Sequence, residues 1–379
     1  MKLKDICIGI TDGSHNPPQG GEISDYYMIS SKNIFDDRIT MDEPRYLSEE
    51  QFLSENKRTN IVSGDVLMTI VGTVGRAAVV NKDIGKITLQ RSVAVLHPKK
   101  DICDSRYLMY ALQSKRAYFE KEAHGVAQKG LYLKQLSDID IVVPAIDKQA
   151  ITVDLLDRVN GIIKYRQNQI EALDNLIKAR FVELFGDPSL NTKGYPIKSL
   201  PEIAEYWNGL TYKPEDVADE GTIVLRSSNI QNAQLDFEDT VRVTCSIGEK
   251  KYVKDNDILM CSRNGSARLV GKVALIKDIK EPMSFGAFMM IIRSQYYPYL
   301  MTFFQMPAFR AQITTGATTT INQITGRMLD NVKLPVPEKA ELNSYISFIE
   351  QVDKSKTAVQ KSLDKTQVLF DSLMQEYFG

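Results

Sequence analysis

The sequence predicts an α+β protein: two mixed α/β globular domains joined by two long antiparallel coiled-coil helices, set out as a pseudo-two-fold internal repeat. Three observations predict it. The stretch LIKARFVELFGDP (176–188) closes a long helix-patterned segment in mid-chain, and a worn copy, LFDSLMQEYFG (369–379), closes the chain. Apolar residues ahead of both endings return in alternating steps of three and four, which is the rhythm of a heptad seam. The segment before each helix also runs through the same order of short strands, turns and one helix. The predicted boundaries are 1–147 and 187–338 for the globular domains, and 148–186 and 339–379 for the helices.

The helices carry the plainest pattern. The second has Leu342, Tyr345, Ile349, Val352, Val359, Leu363, Phe370, Leu373 and Tyr377 in the seam, interrupted only by Lys356 and Thr366. The first has Leu156, Val159, Ile163, Ile170, Leu173, Ile177 and Leu184, interrupted by Arg166 and Arg180. Gly186 suits a C-terminal cap and Pro188 forbids continuation. Each helix would be roughly 50 Å long at 1.5 Å per residue. Two such stripes in one chain most simply bury each other; the alternative is two amphipathic helices lying on separate cores.

In the first globular segment, 26–34 (YYMISSKNI) and 61–80 are rich in β-branched residues and punctuated by Gly, so they read as strands and turns. ITLQRSVAVL (87–96) reads as one further strand. Asp104 to Ala123 reads as a helix, GVAQKG (125–130) as a loop, and LKQLSDIDIVVP as the approach to a strand ended by Pro144. The second segment repeats this order. VLRSSNI (224–230) parallels MISSKNI, and NDILMCSRNG (256–265) parallels GDVLMTIVGT. GKVALI (271–276) parallels GRAAVV after a four-residue insertion, YLMTFFQ (299–305) parallels YLMYALQ, and TTGATTTI (314–321) stands where GVAQKG stands.

Composition bounds the function. At 379 residues, with 43% apolar and 25% charged, the chain can build two or three ordinary cores and is neither disordered nor fibrous. No apolar run reaches the length of a membrane span, and the N-terminus lacks a signal-peptide pattern. Cys7, Cys103, Cys245 and Cys261 are scattered, and His15, His97 and His124 do not cluster with them. A metal site or disulfide framework is therefore not expected, and a reducing cytoplasm is. The net charge of −1 hides a partition: 67–136 holds 12 Lys/Arg against 5 Asp/Glu, 259–328 holds 8 against 2, and 22–65 holds 5 against 10. Basic residues thus concentrate at matching places in both halves, as a two-footed polyanion binder needs, although a solvated charged surface has the same look.

Catalytic motifs are thin. NPPQ (16–19) invites comparison with the N-P-P-aromatic motif of DNA amino-methyltransferases, in which Asn grips the target amino group and a ring stacks the flipped base. Gln19 cannot stack so, and the stretch reads as a turn. GSARLVGKV (265–273) has one residue too many between its glycines for a phosphate-binding loop, and Val273 stands where Ser or Thr would bind magnesium. The sequence points to recognition, not catalysis.

The whole pattern, with a VVP-x-x-x-K-Q segment before the first helix and LIKARFVELFGDP at its end, resembles the specificity subunit of type I restriction-modification systems. The resemblance covers essentially the entire chain. It implies a non-catalytic subunit that binds double-stranded DNA, each globular domain being a target recognition domain for one half of a bipartite sequence. It implies helices that fix the spacer and dock two modification (methyltransferase) subunits, with restriction/translocase subunits joining and no membrane involved. No cofactor is expected on this chain; S-adenosylmethionine, ATP and Mg belong to the partner subunits. One departure is that Pro335 and Lys339 persist in the second copy while Ala340 stands for Gln149. Two rival readings remain: a stand-alone adenine DNA methyltransferase using the Asn16 region, and a coiled-coil adaptor that binds no DNA.

Base edges are best read by Arg on guanine and Asn or Gln on adenine, while Lys and hydroxyls mostly grip phosphate. The candidates on loops of the basic segments are Ser14, His15, Arg76, Gln90, Arg91, Gln128 and Lys129 in the first domain. In the second they are Tyr212, Lys213, Arg263, Asn264, Arg268, Thr318 and Thr319. Arg166 and Arg180, inside the seam, suit helix pairing or subunit docking.

Overall fold

The structure, a computed structural model, describes residues 1–123, 130–314 and 322–379. The chain packs as two units, Met1–Gln167 with Lys361–Gly379, and Asn168–Gln360. Each long helix therefore gives one half to each unit.

The first unit is built on a four-stranded antiparallel sheet in the order Cys7–Asp12, Val93–Pro98, Val66–Thr69, Ala77–Val79. All four residues of VLMT (66–69) are buried, because both faces of the sheet are covered. A strand so placed reads as a continuous apolar run, not as an alternation. Val66, Met68 and Leu96 face Tyr107, Leu108 and Leu112 of the helix Ser105–Ser114. Leu67, Val93 and Val95 face Ile29 and Leu89 on the other side. Those two belong to a small sheet, Arg45–Tyr46, Tyr26–Ile29, Lys86–Leu89, whose last two strands are parallel. The helix Glu49–Thr59 packs Phe52 against Met28 and Leu47. It opens on a capping box at Ser48 and closes on Asn60 in the left-handed region, as helix-end chemistry favours.

The second unit repeats the plan. Its main sheet runs Glu205–Asn208, Met289–Arg293, Ile258–Cys261, Val273–Leu275. Its smaller sheet runs Val217–Ala218, Arg242–Val243, Thr222–Leu225, Met283–Phe285, the last two again parallel. Ile258, Met260 and Ile292 face Tyr299, Leu300 and Phe303, while Leu259, Cys261 and Ile291 face Leu225 and Phe285.

The long helices run Ile146–Phe185 and Lys339–Phe378, 40 residues each. In the first unit the start of one shares a core with the end of the other: Leu156 with Phe370, Leu373 and Phe378. In the second unit Phe181 and Phe185 share a core with Leu342 and Tyr345. The pairing is thus antiparallel within each unit, and the seam residues are buried or half-buried. The break at Lys356 is filled by an ion pair, its Nζ 2.5 Å from Asp174 Oδ1. Gly186 ends the first helix at φ +75°, its N–H on the Val182 carbonyl at 2.8 Å, and a Cβ there would collide with Thr192. In the first unit a charged network ties the helix to the globular part. Arg106 Nε donates to the Asp157 carboxylate at 2.7 Å and its Nη1 to Asp37 at 2.8 Å, while Lys164 Nζ reaches Asp37 at 2.6 Å. Burial by itself would raise the Asp37 pKa, but hydrogen bonds from Lys164 and Arg106 hold it below its ordinary value.

Three sequence expectations need correction. The helix read over 104–123 is two, Ser105–Ser114 and Arg116–Glu122, broken at Lys115, where ψ is +12°. The strand read over 87–96 is also two. Lys86–Leu89 and Val93–Pro98 enter different sheets through a turn closed by the Val93 N–H on the Gln90 carbonyl. The approach to Pro144 forms only a single bridge, Lys2 to Asp140, because the partner segment enters a helix at Leu3. The second copy, Lys333–Pro335, does form a strand, since Ile197–Ser199 offers it three extended residues.

Candidate nucleic-acid interface

In each unit the first strand leaves the main sheet at a glycine. The Gly13 N–H reaches the Val93 carbonyl at 3.2 Å and the Ser14 N–H the Leu89 carbonyl at 2.8 Å. A Cβ on Gly13 would lie 2.1 Å from the Leu89 carbonyl oxygen. The second unit matches bond for bond: Gly209 N–H to Met289 at 3.1 Å and Leu210 N–H to Phe285 at 2.6 Å. A Cβ on Gly209 would again lie 2.1 Å from a carbonyl oxygen, that of Phe285. Without a side chain the strand can cross from its antiparallel neighbour to a parallel bridge, Ser14 with Gln90 and Leu210 with Gly286.

That crossing gathers loops at one end of each unit. In the first, the Arg91 N–H donates to Ser14, Gln90 N–H to Ile29, Ile70 N–H to Ser92 and Leu131 N–H to Ile70, all at 2.8–2.9 Å. In the second, Gly286 N–H donates to Leu225, Ser262 N–H to Phe288 and Ile324 N–H to Ser262, at 2.7–2.9 Å. A buried asparagine braces each loop end. Asn33 Oδ1 accepts from the Ser30 N–H and its Nδ2 donates to Asp42; Asn229 Oδ1 accepts from the Arg226 N–H and its Nδ2 donates to Asp236 and Asp239. This is the structural content of the repeated S-x-N-I pattern. At the opposite end of each sheet sits a buried carboxylate. Asp65 accepts from the Val62 N–H and pairs with His97 Nδ1 at 2.8 Å. Asp257 accepts from the Lys254 N–H and pairs with Arg293 at 2.6 and 2.7 Å. The hydrogen bond to Asp65 raises the His97 pKa. One end of each unit thus holds the buried carboxylate pair, and the other the gathered loops.

The sequence-derived candidates distribute over those loops. Ser14, His15, Gln90 and Arg91 come together at the Ser14–Gln90 bridge, with His15 and Arg91 exposed and Ser14 and Gln90 half-buried. Arg76 is half-buried and lays its guanidinium 5.1 Å over the Phe35 ring, which Arg38 also covers at 5.0 Å. Tyr212 and Lys213 follow the Leu210 bridge; Lys213 is exposed and 3.4 Å from Glu215. Arg263 is exposed, 5.1 Å over the Phe288 ring, and Arg268 is exposed nearby in the chain. Asn264 is committed within the protein, donating to Ser227 Oγ on a separate loop at 3.1 Å and accepting from the Ser266 N–H of its own loop at 3.0 Å. Gln128, Lys129, Thr318 and Thr319 lie outside the described residues.

Two residues escaped the sequence reading. Phe288, 58% exposed, stands on the turn before the strand Met289–Arg293. Arg58, at the end of the helix Glu49–Thr59, donates Nε to the Asp12 carbonyl at 3.0 Å and Nη2 to its carboxylate. Phe288 sits in a GAF turn that composition cannot tell from core. Arg58 lies 46 positions from Asp12, too far for any local pattern. The Asn16 turn is exposed and held by Arg45 Nη1 donating to the Pro18 carbonyl at 2.6 Å. Among the described residues no helix is long and apolar enough to cross a membrane.

Comparison with known proteins adds the family. The type I restriction modification DNA specificity domain matches over residues 1–173 and again over 192–367. The type I restriction enzyme EcoBI specificity subunit of Escherichia coli is 26% identical over 186 residues, covering 48% of this chain and 38% of that protein. The EcoKI specificity subunit of E. coli K12 is 26% identical over 182 residues, covering 45% and 39%. The chain thus spans about two-fifths of the length of the curated relatives it matches. The type I restriction-modification system S subunit from M. genitalium superposes over 100% of this chain and 95% of its own, with a TM-score of 0.53 at 13% identity, a likeness of fold.

Proposed function

This chain belongs to the type I restriction modification DNA specificity domain family, and we propose that it reads a bipartite DNA sequence, one half through the loop end of each unit. The observation that carries this reading is the pair of matched crossings at Gly13 and Gly209, which present equivalent loop ends on equivalent sheets. The side chains on those ends differ between units, as two different half-sites require. Ser14, His15, Gln90, Arg91 and Arg76 serve the first half-site, together with Gln128 and Lys129; Tyr212, Lys213, Arg263 and Arg268 serve the second, together with Thr318 and Thr319. Asn264 acts mainly by shaping its loop.

The chain acts as a recognition subunit without catalysis of its own. Two modification subunits dock on the long helices, whose outward faces carry exposed apolar residues: Ile151, Ile162, Tyr165, Val368 and Leu369 in the first unit, Leu176 and Val182 in the second. S-adenosylmethionine, ATP and Mg are held by the modification and restriction/translocase subunits, and the complex works in the cytoplasm.

The test is adenine-methylation mapping in cells carrying this chain and a modification subunit. A split motif that disappears when the chain is deleted supports the reading, and exchange of residues 1–147 for those of a relative then changes one half only. DNA binding weakens steeply with salt, because phosphate contacts release counterions. Methylation that persists without this chain contradicts the reading. Methylation by the purified chain alone, lost on Asn16→Ala, would favour the enzyme alternative.

A further inference from the structure

Resting on that DNA-reading function, we propose that Asp12, Arg58 and His15 form a base-reading cassette in the first unit: the buried Asp12 carboxylate aims the Arg58 fork and the His15 ring at bases of one half-site.

Asp12 is the last residue of the first strand, and its side chain is only 8% exposed. A carboxylate withdrawn from water is costly unless paired, and Asp12 takes a partner on each oxygen. Arg58 Nη2 lies on Oδ1, its Nε on the Asp12 backbone carbonyl at 3.0 Å, and His15 Nε2 lies 2.8 Å from Oδ2. Yet both partners are more than half exposed, Arg58 at 53% and His15 at 57%. The pairing offsets the burial of the Asp12 carboxylate and still leaves much of both partners open to solvent. It also acts as an aiming device, because it fixes the Arg58 fork and the His15 ring on the loop end beside the Ser14–Gln90 bridge.

The donors left over decide what is read. A guanidinium has five N–H groups, and here Nε and one Nη2 proton turn inward. The Nη1 pair and the second Nη2 proton remain, which is the end-on fork that matches O6 and N7 of guanine. With Nε2–H given to Asp12, Nδ1 of His15 is the ring nitrogen left to meet a base; in the neutral ring it accepts, which suits the amino group of cytosine or adenine. The corresponding residue of the second unit is Asn208, whose carbonyl takes Lys251 Nζ at 2.5 Å. The cassette therefore serves one half-site.

The experiment uses the full chain assembled with its modification subunit. The probes are a duplex bearing the split motif mapped by methylation, duplexes with each base pair of either half replaced in turn, and a random duplex. Arg58→Lys keeps the charge and loses the fork. It should weaken binding to the mapped duplex about tenfold, erase the preference at one or two positions of one half, and leave the other half and the random duplex unchanged. His15→Ala should act on a neighbouring position of the same half, and Asp12→Asn on both. Thermal melting confirms that each variant is folded; if Asp12→Asn is not, the other two still decide. Wild-type discrimination in Arg58→Lys and His15→Ala overturns the cassette, as does an equal loss on every duplex, which marks a phosphate contact. A wild-type assembly that binds mapped and random duplexes alike overturns the DNA-reading function itself, before any variant is made.

Discussion

Phe378 lies against Tyr107 with ring centroids 5.0 Å apart, and Phe185 lies against Tyr299 at 5.1 Å. The two tyrosines hold matching places, each donating its hydroxyl to a carbonyl just ahead of a long helix, Val142 and Pro335. The Phe-Gly that ends each helix is thus a plug for the core of a globular unit. Truncating a buried Phe costs about 3–5 kcal/mol. Phe378→Ala should lower the stability of the first unit by about that much, and Phe185→Ala that of the second. Hydrogen exchange, which reports the two units separately, checks the assignment; equal loss of protection in both units would contradict it.

Gly13→Ala should be costly for a different reason. The new methyl meets a backbone carbonyl, which cannot swing aside as a side chain would. The expected loss is about 3 kcal/mol, the upper part of the range for overpacking, and Gly209→Ala should match it. Gly9→Ala is the control: there a Cβ meets only the edge of His97 at 3.5 Å, an ordinary contact. Melting temperatures of the three variants decide the point, and Gly13→Ala melting like Gly9→Ala would refute the crossing.

The Asp65–His97 pair gives the first unit a pH dependence that Asp257–Arg293 withholds from the second. The Asp65 hydrogen bond raises the folded-state pKa of His97 above its unfolded value of about 6.5. A raised pKa contributes stability that is fully present below the unfolded value and fades as pH climbs through the folded one. Urea midpoints for the first unit should therefore fall as pH climbs above about 6.5, and His97→Gln should flatten that slope. An unchanged slope in the variant would assign it to other groups.

Asp157→Ala removes an acceptor for Arg106 Nε at 2.7 Å and for the Tyr110 hydroxyl at 2.7 Å. Bonds to charged groups are worth about 1.5–3 kcal/mol, and Asp157 is one-third exposed, so a loss of about 1–2 kcal/mol is expected after solvent screening. Denaturation at low and high salt measures it. The loss should shrink in salt, and insensitivity to salt would argue that packing, not charge, ties the helix down.

What could be read in advance follows from the range of the interactions. The helices and their stops were legible because seam residues recur every three or four positions and a left-handed stop needs glycine at Gly186. The buried strands were legible as apolar runs such as VLMT and ILMC. The break at Lys115 and the turn at Gln90 were not, because each depends on which distant surface claims the residues on either side. At the loop ends the positions of His15 and Arg263 could be picked out from residue type alone. That of Arg58 could not, since its meaning comes wholly from Asp12, a residue the chain reaches only after folding. The bonds that Asn264 makes to Ser227 and Ser266 were not legible, because a side chain that bonds other loops of its own protein has the same letter as one that bonds a base.

The first unit takes Lys361–Gly379 into its core while Asn168–Gln360 form the other unit. Translation therefore imposes a wait. At about 5–20 residues per second, the ribosome needs roughly 10–40 s to make the intervening stretch. Through that interval the place of Phe378 beside Tyr107 stays open, while the strands around it can already pair. A product cut short anywhere before the last helix turns would carry an apolar gap in the unit whose strands were made first.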